Sequence, residues 1–406
     1  MQSYGFTIGY VDALAQFSKQ NTSIQTQLTT GPFPAKFLTL AAAGTPPDVL
    51  FVPSGGSVLS YASQQLLLPL DQYVQTAKIS SADFYTPAWN ENLFGGKVYA
   101  ITNEVDPNFA LVYNKALFQQ LGIDRPPATT QELDDANAKF YQSQGGVIKR
   151  LGILPPWLTY GTGNSLLTWF AVFGGGSLDP SDPKKLNVLQ PADVTTMTWM
   201  KQYADHFGGY DSITKFIQSW GPSLIYKGYV SAFVNGQIAM GPMVSANYKS
   251  LLDAAKGGTY DGQFALALMP AGPNVKPDPS WLGGWGLGIP NGSKKLDQAW
   301  QVLAWMNTSP EGTDLWASLN NFLPGYKKST FYSKNAGNPL VTGYQDVLAG
   351  AHLVPPALGS APGDPAGVLL NAVVQGKSDV NTALTQYQEV VSAAYSKINY
   401  QVPGAF

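Results

Sequence analysis

Two hydrophobic periods alternate along this chain, separated by turns rich in glycine, proline and amides. After Gly95-Gly96, the run Val98–Ile101 is β-branched and aromatic and reads as a buried strand. A polar, turn-prone segment from Thr102 to Asn108 follows, and Phe109–Tyr113 is again strand-like. Lys115–Leu121 then reads as a helix closed by Gly122. Two core-grade strands joined by an acidic, extended segment are what a chain needs to leave one domain and enter another. Upstream, Ala13–Asn21 predicts a helix, Ile24–Leu28 a strand, and Tyr4–Ile8 a short strand before them. Pro34–Ala43 is helical in pattern and is stopped by Gly44-Thr45-Pro46-Pro47. Asp48–Val52 is a buried strand that opens on the loop Pro53–Ser57.

Downstream, Thr129-Thr130-Gln131-Glu132 is a capping box that starts a helix ending near Gly145-Gly146. Trp157–Gly176 joins a polar Thr-Tyr-Gly-Thr-Gly-Asn loop to an apolar helix, and Pro191 opens another helix running to Phe207. Phe264–Leu268 reads as a strand that crosses back to the first domain. Ser293 is placed as a helix cap, and Ser309-Pro310-Glu311 starts a further helix and a third crossing near Asn307. Asp379–Ile398 repeats apolar residues as one amphipathic helix.

Composition narrows the chemistry. The 406 residues exceed one ordinary core, and 44% hydrophobic with 12% aromatic residues suffices for two. Charged residues are only 12%, against about 25% in ordinary domains, and the net charge is −2, which gives no field for nucleic acid or an anionic membrane. Arg125 and Arg150 are the only arginines, which argues against a phosphate- or carboxylate-rich ligand. There is no cysteine and there are two histidines, His206 and His352, too few for a zinc or non-haem iron site; no metal and no cofactor are expected. The Gly-rich loop after Asp48–Val52 lacks the G-x-x-x-x-G-K-[ST] pattern, so nucleotide binding is disfavoured. No run of 18 apolar residues spans a membrane.

The ordered motifs resemble the extracellular solute-binding proteins of ABC importers, most closely the maltose- and oligosaccharide-binding branch. They are Tyr113-Asn114-Lys115, Gly122-Ile123-Asp124, the Pro-Pro-led stretch Asp48–Tyr73, Ala232–Met240, Gly283–Pro290, Ala299–Glu311 and Leu323-Pro324. The resemblance implies an α/β, two-lobe periplasmic-binding-protein-like fold with a hinge and an interlobe cleft. Residues 1–106 and 270–310 would form lobe 1, and 107–269 and 311–406 lobe 2. It further implies a monomer that takes a neutral sugar or oligosaccharide to the transmembrane subunits of an ABC importer. Its place would be the periplasm or, lipid-anchored, the extracellular face of the membrane, the export signal with its anchoring Cys having been removed ahead of Met1.

Sugar rings present C–H faces that stack on aromatics and hydroxyls that need paired donors and acceptors. Trp285, between Gly284 and Gly286, and Trp157, before the polar loop holding Asn164, are each weighed evenly between cleft and core. Tyr326, in the turn after Pro324, is a further aromatic candidate. Asp106 and Asn108 in the connector are candidate hydrogen-bonding contacts, although Asp before Pro107 equally suits a turn. Ser54 and Gly55 match the family's first-lobe loop, where many relatives carry a carboxylate. Where many relatives place an aromatic after the strand ending at Met240, this chain has Ala246 or Asn247, and Tyr248 is the nearby substitute. The alternatives are a secreted glycoside hydrolase, which needs two carboxylates about 5–9 Å apart across a bond, and a surface lectin. Nothing in the sequence pairs acids in that way.

Overall fold

The computed structural model describes residues 2–3, 7–30, 35–53, 57–158, 162–176, 178–179, 182–221, 229–277, 279–353 and 364–396. Its strands, in chain order, begin with β1 (Gln2–Ser3), β2 (Thr29–Thr30), β3 (Leu50–Pro53), β4 (Leu93–Phe94) and β5 (Lys97–Val98). The middle of the chain gives β6 (Ala100–Asn108), β7 (Ala110–Asn114), β8 (Gln142–Gln144), β9 (Val147–Ile153), β10 (Leu178–Asp179) and β11 (Asp182–Leu186). Then come β12 (Ile238–Met243), β13 (Phe264–Ala267), β14 (Trp281–Gly288), β15 (Leu323–Pro324) and β16 (His352–Leu353).

These strands build two principal sheets. One has seven strands in the order β15-β6-β14-β3-β1-β2, with β16 paired to β14; the other has five, β13-β7-β12-β9-β8. β6 belongs to the first sheet and β7, a single residue later, to the second. β13 lies in the second sheet and β14 returns to the first.

Alternation along β3 assigns the two faces of the first sheet. Phe51 points into a layer of helices Thr7–Gln20, Leu296–Thr308 and Pro310–Asn320, where Tyr10 packs at 4.0 Å ring separation on Trp316. Leu50 and Val52 point the other way, onto Phe37 and Tyr61 of two helices on the opposite face. The second sheet is covered by the aromatic layer of Phe140, Trp169, Trp199 and Tyr203, with Leu370 and Tyr387 of the C-terminal helices.

Several expected elements shift, for identifiable reasons. Thr102–Asn108 is not a polar connector but the body of β6, because β14 and β15 hydrogen-bond it from either side. The first helix begins at Thr7, so Thr7 and Ile8 are helical where a strand was expected; residues 4–6 lie outside the described set. Ile24–Leu28 pairs with no strand, and β2 is only Thr29–Thr30. The helix opened by Thr129 ends at Phe140, and β8 and β9 turn through Gly145-Gly146 as a hairpin. Ser293 is not the N-cap, which is Lys295: the Ser293 hydroxyl donates to Asp48 Oδ1 at 2.8 Å and accepts from the Lys295 N–H at 3.4 Å, and the helix begins at Leu296.

The third crossing also moves. The helix Pro310–Asn320 packs on Thr7–Gln20 through buried Trp316, and β15 pairs with β6, so residues 311–324 go with the first sheet rather than with lobe 2. Only after β15 does the chain reach the helix Pro339–Gly350, which packs on the second sheet's helix Ser245–Ala255.

A bulge interrupts β6. Glu104 faces Trp285 and Thr102 faces Gly286, so Asn103 has no residue opposite it on β14. The extra residue turns both Asn103 and Glu104 toward the helix layer. Asn103 Nδ2 donates to Asn307 Oδ1 at 2.8 Å and Asn307 Nδ2 to the Ile101 carbonyl at 2.8 Å, while Tyr10 donates to Asn103 Oδ1 at 3.3 Å. Gly284 makes the close approach possible. With φ of +130° it lies where L side chains rarely go, and a Cβ there would sit 2.4 Å from the Glu104 carbonyl oxygen.

Asn307→Ala strands the buried Ile101 carbonyl and one Asn103 amide hydrogen, each a loss of about 1–3 kcal/mol. Urea unfolding should show at least about 2 kcal/mol of destabilisation; a midpoint matching the wild type would mean that the network contributes nothing.

Candidate functional site

In α/β sheets, ligands gather outside the carboxyl ends of parallel strands. In the first sheet that end is where β3 runs out at Pro53, and Ser54, Gly55 and Gly56 of the next loop lie outside the described residues. Pro53 pairs with Trp285 of β14, and Trp285 pairs with Glu104 of β6. This row leads across β6 toward Asp106 and to β7, where the second sheet begins. At the opposite end of β3 a groove of about 480 Å³ is lined by Leu14, Thr26, Asp48 and Gln298; it lies away from the crossing strands.

Asp106 is the polar centre of the crossing. It is 6% exposed, its Oδ1 is buried without a partner, and no hydrogen bond to it is seen among the described residues. Burial pushes its carboxyl well above the usual range. Asp106 lies close enough to Tyr344 to raise that phenol's pKa, already raised by burial, and the Tyr344 hydroxyl donates to the Met243 carbonyl at 2.6 Å. Glu104, two positions earlier, is completely buried. Trp316 Nε1 donates to its Oε2 at 3.0 Å, and its Oε1 has no partner. Burial raises the Glu104 carboxyl first and repulsion from Asp106 second, with the Trp316 hydrogen bond opposing.

The second-sheet wall begins where β12 ends. Met243 leads into the helix Ser245–Ala255, whose N-cap Val244 has no capping side chain. In its first turn Ser245 donates to the Asn321 carbonyl at 3.0 Å, and Asn247 keeps a buried amide nitrogen without a partner. Sequence reading named position 247 only as the site of a missing aromatic. Asn in the first turn of a helix after a buried strand was the available signal.

The aromatic candidates separate. Trp285 is half-buried, and one face is stacked on Phe51 at 4.5 Å with the rings 7° from parallel. Its flanking glycines therefore do not leave it unpacked; a ring from β3 supplies the packing. Trp157 is 3% exposed and packed edge-on against Tyr203, with Tyr210 beside it, which makes it a core side chain of the second lobe. Tyr248 is core as well: its ring lies in the buried cluster and its hydroxyl donates to the Phe264 carbonyl at 3.1 Å. Tyr326 is half-buried beside Phe84 at 5.6 Å, on β15's far side, next to the Lys328–Asp83 ion pair. Asn164 is half-buried in the helix Thr162–Phe173, and its carbonyl accepts from Thr168. Asn108 closes β6 opposite Trp281, and its side chain lies outside the described set. Trp281, missed from sequence, links the first sheet to the second lobe's helix Thr162–Phe173: its Nε1 donates to Thr168 Oγ1 at 3.1 Å.

The profile of bacterial extracellular solute-binding proteins matches residues 12–339. The chain belongs to this family. A maltotriose-binding protein of Pyrococcus abyssi is 22% identical over 358 residues, covering 86% of this chain and 71% of that protein. Among solved structures, CpMnBP1 with mannotriose bound has a TM-score of 0.80 at 24% identity, over 96% of this chain and 98% of that one. The sugar-binding protein MalE of Xanthomonas citri has a TM-score of 0.78 at 21% identity, over 98% and 96%. The two-lobe binding-protein fold is therefore that of this family member. Among the described residues no helix is long and apolar enough to cross a membrane.

An unpartnered buried carboxyl costs the folded state whatever its proton does. Asp106→Asn should therefore leave stability at neutral pH unchanged or raised. Loss of more than about 1 kcal/mol in urea unfolding would instead mean that the carboxylate is held by donors.

Proposed function

We propose that this solute-binding protein captures a neutral sugar or oligosaccharide between its two sheets and hands it to the transmembrane subunits of an ABC importer. The observation that carries the reading is Asp106, whose buried Oδ1 has no partner among the described residues, on the strand that leads from one sheet to the other. A carboxylate in that position accepts hydrogen bonds from sugar hydroxyls strongly. The names of the relatives, maltotriose-binding and sugar-binding, point the same way. Two arginines and a net charge of −2 leave little with which to hold an anion.

The proposed contacts are Asp106, Asn247 and the half-buried Trp285, with Ser54, Gly55, Asn108 and Asn164 from the surrounding segments and Tyr326 at the rim. Asp106 and Glu104 lie on one strand, two residues apart, rather than on opposed walls; that supports binding without turnover. The two lobes are built on the seven- and five-stranded sheets, and closure is a rotation about β6–β7, β13–β14 and the segment after β15. A ligand that touches both walls favours the closed state by its differential contacts. The protein acts as a monomer, at the outer face of the membrane through a lipid anchor or free in the periplasm.

Calorimetry with mono- to tetrasaccharides should find one selective neutral ligand whose affinity changes little between low and moderate salt. Marked salt sensitivity would identify an anionic ligand instead. With that sugar, Trp285→Ala should cost on the order of 1–3 kcal/mol of binding. Its effect on melting should stay below the roughly 3–5 kcal/mol of a truncated core Trp. The opposite split places Trp285 in the core.

A further inference from the structure

We propose that Glu104 and Asp106 form a proton-linked pair in which Glu104 stays protonated and Asp106, partly protonated in the ligand-free protein, gives up its own proton to solvent when a ligand hydroxyl donates to it. The second half rests on the sugar-binding reading above; the first does not. Glu104 and Asp106 share one face of β6 by the regular alternation that follows the bulge at Asn103. Both carboxyls are buried, each keeps an oxygen without a partner, and they are two residues apart on one strand.

Every neighbour leaves the pair uncompensated. From the helix Thr7–Gln20, Tyr10 stands near Glu104; from Pro310–Asn320 comes the neutral donor Trp316. From Pro339–Gly350, Tyr344 stands near Asp106, and Tyr248 and Tyr229 lie behind Tyr344. Trp285 and Pro324 flank Glu104 on β14 and β15, and Gly283 faces Asp106. The ion pairs among the described residues involve Arg125, Lys201, Lys249, Lys256, Lys328 and Lys334, none with either carboxyl. Two such groups do not both ionise cheaply. Glu104, the more deeply buried of the two, keeps the proton against the opposing Trp316 hydrogen bond, and Asp106 faces the ligand. Burial shifts both carboxyls upward. Glu104 is thus a positioning residue: it sets the charge that Asp106 presents.

The sign follows from linkage. A carboxyl raised above its unfolded value contributes stability that is complete below the unfolded value and is lost as pH rises through the folded one. Glu104→Gln cannot titrate. In ligand-free melts from pH 5 to pH 9, the midpoint of Glu104→Gln minus that of the wild type should be near zero at pH 5 and grow to several degrees by pH 9. A difference independent of pH, or one that turns negative at high pH, overturns the pair. Asp106→Asn serves as the second variant should Glu104→Gln fail to fold, with the same expectation. Maltotriose titrated calorimetrically in buffers of differing ionisation enthalpy tests the release: wild type should lose a measurable fraction of a proton per ligand near neutral pH, and affinity should fall about tenfold on acidification to pH 5. Binding with no proton exchanged and a flat pH profile overturns the release. Should maltotriose not bind at all, the melts still decide whether the pair exists, and the failure belongs to the sugar assignment.

Discussion

The fold depends on how one strand reconciles two jobs. β6 must sit between β14 and β15 in the first sheet and then deliver the chain, within one residue, to the second. Regular pairing throughout would alternate its side chains strictly, sending Asn103 and Glu104 to opposite faces. The bulge breaks that alternation, and the polar groups it redirects are satisfied by Asn307, Tyr10 and Trp316, side chains from three helices. Those helices are thereby locked to the strand that changes sheets. Gly284 completes the device by letting β14 pass within contact of the Glu104 carbonyl. Stability and site are therefore not separable here, since the same residues that order the first lobe place the carboxyls at the crossing.

Much of this was legible in the residues. The helices Ala35–Ala42, Pro191–His206 and Val380–Tyr395 follow their apolar periodicity and their Gly, Pro and Asp punctuation. The ordered motifs pointed to the two-lobe family, and Asp106 was singled out. What escaped notice depended on partners far away in sequence. Thr102–Asn108 looks like a turn because its residues are polar, and only β14 and β15, more than 170 residues later, make it a strand. Trp157 and Tyr248 look as free for a ligand as Trp285 does when neighbours in sequence are all one can see. Tyr203, Tyr210 and the Phe264 carbonyl decide otherwise. A short-range pattern reports which side chains are apolar; it does not report which of them find one another.

Two helices of the second lobe show satisfied acids: Thr129 accepts from the N–H of Glu132, whose carboxylate Arg125 pulls down to about 2, and Asp193 accepts from the Gln190 N–H in a capping box while burial pushes it up to about 6. Those acids have donors. Glu104 and Asp106 each keep a bare oxygen, so the lone exceptions to ordinary satisfaction among these four acids stand where the sheets meet. Asp71 also keeps a buried oxygen without a partner among the described residues, so what sets Glu104 and Asp106 apart is that the two stand together on the strand where the sheets meet.

The topology of β6 reaches beyond the folded state. Both of its neighbours, β14 and β15, follow it by more than 170 residues, and β3 too waits for β14. As the chain is made, β6 lacks a partner on either edge until residues 281–324 have emerged. Closing such distant contacts is entropically slow, and open strand edges invite pairing with other chains. The second sheet, whose strands span residues 110–267, is complete well before the first. Assembly then proceeds from the inside of the sequence outward: a nascent second lobe holds the two halves of its partner apart, and the strand that will carry Asp106 is among the last to be enclosed.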